Sequence, residues 1–329
     1  MRPCLPTGRF ACKSFTIKMF NMKSFQRRKF IQTLVTASAV TGIGNFSMAK
    51  AAEKKSAATY SNRFKISLNA YSFNNPLTNK KTNLDEVLDF CAREGFDAID
   101  ITGYYFPGYP EVPSDEYIFH LKNKAHRLGL DISGTGIRNE FADPDPAKRA
   151  ADIVLTKKWI EVAAKLGAPV IRIFTGKVLP PGHTREEVEG WIVESIKVCT
   201  EYGKQHGVIV AIQNHNDFLK TAEQTKSILE KVNSEWFGLV LDTGSFVTEE
   251  PYSEIEKMTG YAVNWQVKEK LTFNGKSEDM DLYKLCRIIN ASSYRGYLPI
   301  ETLSPGDAFQ IVPPFLKLVR GALERAMNE

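Results

Sequence analysis

The sequence predicts an α/β chain that closes into a single-domain (β/α)8 TIM barrel, preceded by a cleavable N-terminal signal segment. Three observations predict it. Eight short apolar runs alternate with longer stretches of helical period. The alternation fills about 265 residues, the size of one closed parallel barrel. The glycine-rich turn of the rival fold, an open doubly wound sheet, is missing. NAYSFNNPL stands after the first strand, and Gly134-Thr135-Gly136 lies inside a strand pattern without a third glycine.

Each element has its own signal. The strands are expected at 64–73, 96–102, 130–137, 169–176, 208–215, 237–246, 262–269 and 297–303. Between them lie helices with start and stop residues. TNLDEVLDFCAREG opens with Asn83 as a cap and ends at Gly95. A second helix follows Ser114, and a third carries Pro146 in its first turn. Thr184 and Glu187 form a capping-box pattern for the fourth. TAEQTKSILEKV, PYSEIEKM and DMDLYKLCRIINAS come next. In the last helix, Pro313-Pro314 is expected to break the start.

The N-terminal region has a different character. Residues 1–51 hold nine Lys/Arg and no acidic residue. Arg27-Arg28 precedes a mildly apolar stretch from Ile31 to Met48, then Ala49-Lys50-Ala51 as a small-x-small cleavage site. The paired arginines resemble a twin-arginine export signal. The domain reading is therefore a signal over 1–51, with Met22 a plausible true start, a linker over 52–62, and the barrel over 63–329. The expected location is the periplasm or another exported compartment, without a stable membrane anchor. Of 43 basic and 38 acidic residues, 34 and 38 remain once the signal is removed, a net charge of −4. Such a body does not attract nucleic acid. Of the five cysteines only Cys91, Cys199 and Cys286 lie in the body, without metal-site spacing, and they read as buried free thiols.

Barrel enzymes carry their chemistry at strand C-termini. Asp242 follows GLVL and Glu301 follows YLPI, each an acid closing an apolar strand. A buried acid is paired, protonated or metal-bound. Gln213 and Gln266 end the equivalent strands five and seven. The four offer oxygen donors suited to one Mn2+ or Mg2+ ion, with Zn2+ as the alternative. Lys268 shares the inward face of Gln266 and could stabilise an enolate or salt-bridge Glu269 or Glu301. His215 stands two residues after Gln213. Arg172, Asn214 and Tyr105 are the candidate substrate contacts, with Asp100, Arg138 and the neighbouring aromatics as weaker ones.

VAIQNHND, GLVLDTGSF, NWQVKEK and GYLPIET carry a resemblance. The chain resembles the xylose isomerase-like barrel superfamily, the sugar phosphate isomerase/epimerase group, over about residues 63–326. The resemblance implies a metal site of Glu, Asp, His and Glu, which fall on Gln213, Asp242, Gln266 and Glu301. Two of the four ligand positions depart from the family, Gln266 in place of His and Gln213 in place of Glu. Gln213 can coordinate but cannot take a proton at neutral pH, and in the family that position is also an acid/base group. Ser245 stands where the family has a substrate-contacting histidine.

The implied activity is a metal-dependent sugar isomerase or epimerase that removes a proton next to a carbonyl. Glu301 is the expected base, with His215 or Lys268 as second proton carrier. The alternatives are a keto-sugar or glycoside lyase on the same site and a non-catalytic carbohydrate-binding barrel. A nuclease of the same fold would need several more histidines. The expected partner is a small neutral carbohydrate, and a homo-oligomer is compatible with the sequence.

Overall fold

The structure, a computed structural model, describes residues 63–215, 218–273 and 275–328. The expected signal and linker lie outside the described residues. Eight strands close a parallel barrel: β1 (Phe64–Asn69), β2 (Ala98–Thr102), β3 (Asp131–Gly136), β4 (Val170–Ile173), β5 (Ile209–Gln213), β6 (Phe237–Asp242), β7 (Ala262–Lys268) and, after a hairpin, β10 (Gly296–Glu301). Each of the eight expected strands overlaps one of them. The first and last are hydrogen-bonded neighbours, with Phe64 opposite Gly296 and Leu68 opposite Ile300. No helix among the described residues is long and apolar enough to cross a membrane.

Side-chain alternation along the strands explains both faces of the sheet. Leu68, Ile99, Ile101, Ile171, Ile212, Leu241, Trp265 and Ile300 belong to the large core shared with the surrounding helices. The alternate residues Val170, Ala211 and Val240 form a small separate cluster. Asp242, Gln266, Lys268 and Glu301 follow that second set toward the strand C-termini. The alternation thus puts helix-packing residues on one face and site residues on the other.

A short helix α1 (Asn74–Thr78), without a side-chain cap, stands where none was expected. The helices α2 (Leu84–Glu94), α3 (Asp115–Arg127), α4 (Pro146–Leu166), α5 (Arg185–His206), α6 (Ala222–Val232), α7 (Pro251–Met258), α8 (Leu282–Ala291) and α9 (Ala308–Met327) match the expected helical segments. Asn83 accepts from the Glu86 amide at 3.0 Å, and α2 ends in left-handed Gly95. Thr184 accepts from the Glu187 amide at 3.2 Å. Cys91, Cys199 and Cys286 are free and buried, as expected.

Three expectations are corrected. Several strands are shorter than read. β1 stops at Asn69 and passes into a 3-10 turn over Ala70–Phe73, because Asn69 accepts from the Tyr71 amide at 2.9 Å and turns the chain. Pro313-Pro314 does not break α9, which runs through both from Ala308. The prolines remove two donors and leave the Phe309 and Gln310 carbonyls without their usual partners. Burial of Val312, Phe315, Leu316 and Val319 holds that stretch in place. Phe309 adds edge contacts to Phe73 and Phe90. Finally, an antiparallel hairpin, β8 (Lys270–Phe273) and β9 (Lys276–Asp279), follows β7 where no element was expected.

Candidate functional site

The sheet register brings the site together. Asp242 lies opposite Gln266 across β6 and β7, and Glu301 lies opposite Lys268 across β10 and β7. Asp242 is 0% and Glu301 1% exposed. The Gln213 side-chain amide donates to Asp242 Oδ2 at 2.6 Å. The Gly244 amide donates to Asp242 Oδ1 at 3.0 Å. The Gln266 side-chain amide and the Lys268 ammonium both donate to the Glu301 carboxylate. The same ammonium stands 3.4 Å from Asp242 Oδ2.

Burial and charge compete here. Burial, the largest single influence on Lys268, disfavours its ammonium. The Asp242 and Glu301 carboxylates together outweigh it and raise the pKa above that of an ordinary lysine. Burial raises the Glu301 carboxyl, Lys268 lowers it and Asp242 raises it again. The net result is an acid with more than usual proton affinity.

The four expected metal ligands lie on neighbouring strands, Gln266 two residues inside β7 and the others at their strand ends, yet their arrangement does not fit a hard divalent ion. Such ions take oxygen donors, while both glutamines turn N–H groups onto the carboxylates. Exchanging O and N in the two amides, which is a matter of assignment, would set carbonyl oxygens against carboxylate oxygens. Only a cation between them would hold that pattern, and an ammonium already bridges the two acids. Among the described residues no group of three or more His, Cys, Asp or Glu is placed to hold a metal.

The remaining expected residues divide. Arg172 lines the mouth, 7% exposed. Its guanidinium donates to the Ile137 carbonyl and to the Tyr104 hydroxyl at 3.2 Å, and it packs over Phe174 at 4.2 Å. His215 lines the same mouth, with its ring edge-on to Phe174 at 5.5 Å. Asn214 straps β5 to β6. Its amide nitrogen donates to the Asp242 carbonyl at 2.9 Å and its oxygen accepts from the Asp242 amide at 2.8 Å, so both ends of the buried group are spent. Tyr105 lies outside the lining of this mouth. Its hydroxyl donates to Asn74 at 2.9 Å, and Tyr104 is the ring that faces the cavity. Sequence reasoning passed over Asn69, Tyr71, Phe174 and Leu303, all in the lining. Asn69 carried the signal used elsewhere, a polar residue closing an apolar strand.

Two adjoining cavities open above these residues. The inner one, about 240 Å³, is walled by Arg172, Tyr104, Gln213, Lys268 and Glu301. The outer one, about 400 Å³, is walled by Ser245, Leu271, Thr272 and Ser304, and both share His215, Lys268 and Leu303. Together they join a proton-accepting carboxylate, a fixed cation and hydrogen-bonding walls.

A model of the xylose isomerase-like TIM barrel family matches residues 88–320. The chain is 23% identical over 251 residues to the inosose isomerase of Halalkalibacterium halodurans, covering 71% of this chain and 87% of that protein. The solved structure of D-psicose 3-epimerase from Clostridium cellulolyticum, with D-tagatose, superposes with a TM-score of 0.60 at 17% identity, covering 80% of this chain and 97% of that one. The 3-keto-D-glucoside 4-epimerase of E. coli gives a TM-score of 0.61 at 12% identity, covering 82% and 100%. The closed eight-stranded barrel and a family match across most of its length place the chain in the xylose isomerase-like TIM barrel family.

Proposed function

We propose that the chain is a sugar isomerase or epimerase that moves a proton at the carbon beside a carbonyl of a small sugar or keto-sugar. The observation that carries this reading is Glu301, a buried carboxylate of raised proton affinity that lines the cavity beside the Lys268 ammonium. The names of the relatives, inosose isomerase and sugar 3- and 4-epimerases, support the substrate class. In the first step the C–H bond breaks, an O–H bond forms on Glu301, and the electron pair moves onto the carbonyl oxygen. An N–H of Lys268 stabilises the enediolate so formed. His215 passes a proton between the two substrate oxygens, and Glu301 returns its proton to the neighbouring carbon. Arg172 holds a substrate oxygen at the wall.

Isomerisation of this kind needs one base on one face. Epimerisation by proton transfer needs carriers on two faces, and Gln213 removes the second carboxylate. One-base isomerisation is therefore the finer proposal. The divalent metal implied by the family resemblance is the rival source of positive charge.

The test is solvent exchange. In D2O, one sugar from a panel of aldoses, ketoses and 3-keto-sugars should take up deuterium beside its carbonyl. Glu301→Gln should slow that uptake by about 10²–10⁴-fold. Uptake at the wild-type rate in this variant would move the base to His215. No uptake from any sugar would favour a carbohydrate-binding barrel.

A further inference from the structure

We propose that the Lys268 ammonium is the resident cation of this site and that the chain works without a bound divalent metal. The inference rests on the proton-transfer reading above and assigns the source of its positive charge. Three independent features support it.

The first is position. Lys268 Nζ bonds Glu301 and stands 3.4 Å from Asp242 Oδ2, so one side chain spans the acids of β6 and β10. A divalent ion between those acids would sit against a fixed positive charge in a buried setting.

The second is the rest of the donor set. From β5 and β7 come Gln213 and Gln266, neutral groups whose N–H donors complete the carboxylate hydrogen bonds. Two carboxylates, two amides and one ammonium satisfy one another without a further ion.

The third is a cradle for the lysine stem. A Cβ at Gly244 would come within 2.9 Å of Lys268 Cγ and 2.6 Å of the Lys270 carbonyl oxygen, so this position is kept open for the chain beside it. The Lys268 amide donates to Thr243 Oγ1 at 3.0 Å, and that hydroxyl reaches the Gln266 carbonyl at 3.3 Å. The lysine is therefore held at its backbone and given room for its stem, with its charged end between the acids. Its third N–H remains for a substrate oxygen, because Lys268 lines both cavities.

The mature chain is dialysed against EDTA, titrated with MnCl2 by calorimetry, and followed for deuterium uptake by the sugar panel. We expect no stoichiometric Mn2+ binding and unchanged uptake after EDTA. Lys268→Met should lose uptake by about 10²–10³-fold and gain a Mn2+ site, because it frees both carboxylates. Lys268→Arg, which keeps the charge, should still take no Mn2+, and it serves as the second variant if the methionine chain does not fold. Stoichiometric Mn2+ binding by the wild type overturns the inference. So does uptake that EDTA abolishes and MnCl2 restores, or wild-type uptake in folded Lys268→Met. If no sugar exchanges, the isomerase reading fails, and the Mn2+ titrations alone still decide which cation the site holds.

Discussion

Asp100 enters the barrel from β2 beside Gly134, where a Cβ would come within 2.7 Å of its carboxylate oxygen. Burial pushes its carboxyl up to about 6, with Arg172 pulling down and Glu301 adding to the rise. Because the folded pKa lies above the ordinary 3.8, the folded chain holds this proton more tightly than the unfolded one. The penalty for ionising it is absent below about pH 4, grows as pH rises toward 6, and stays in full above that. Asp100→Asn should therefore stabilise the protein at pH 8 by up to about 3 kcal/mol and by almost nothing at pH 4, read from urea unfolding. An equal gain at both pH values would assign the effect to packing. A second residue shows where the sequence was ambiguous. Lys268 was visible as a strand-end cation, but Glu269 and Glu301 were equal partners on paper. The β7–β10 register decides for Glu301, while Glu269 accepts from the Leu303 and Ser304 amides at 2.8 and 3.0 Å.

The hairpin of β8 and β9 had no signature in the sequence, and the reason is physical. Its second strand is exposed throughout, and only Leu271 of the first is buried, so no two-residue alternation is imposed on it. The eight barrel strands face a core on at least one side, and their apolar runs were legible for that reason. A lone hairpin is marginally stable in water, and this one lends Lys270, Leu271, Thr272 and Ser277 to the wall of the outer cavity. Replacing residues 272–277 with a short glycine turn should leave the melting temperature within about 4 °C of wild type. Deuterium uptake should fall by about tenfold through a higher KM, as expected for a wall that positions substrate. A large loss of melting temperature would make the hairpin a structural element instead.

At the scale of the whole chain, the barrel is one reading and the expected export signal is another. The barrel was legible because eight strand–helix units obey a single repeated pattern. The chemistry of the site was less so, since hydrogen-bond direction among Gln213, Asp242, Gln266, Lys268 and Glu301 depends on contacts between distant strands. For export, Arg27→Lys with Arg28→Lys should leave the precursor in the cytoplasm, while the unaltered chain appears outside it, cut near Ala52, on fractionation and N-terminal sequencing. Full-length wild-type protein in the cytosol would exclude the signal. The neighbouring of β1 and β10 then has a consequence for synthesis. Their paired residues lie roughly 230 positions apart, among the longest loops a chain of this size can close. A growing chain on the ribosome that has not yet reached Gly296 carries two bare sheet edges, β1 and β7, of the kind that pair with other molecules. The seam can form only once Gly296–Glu301 has been made, and until then both edges stay open to other strands.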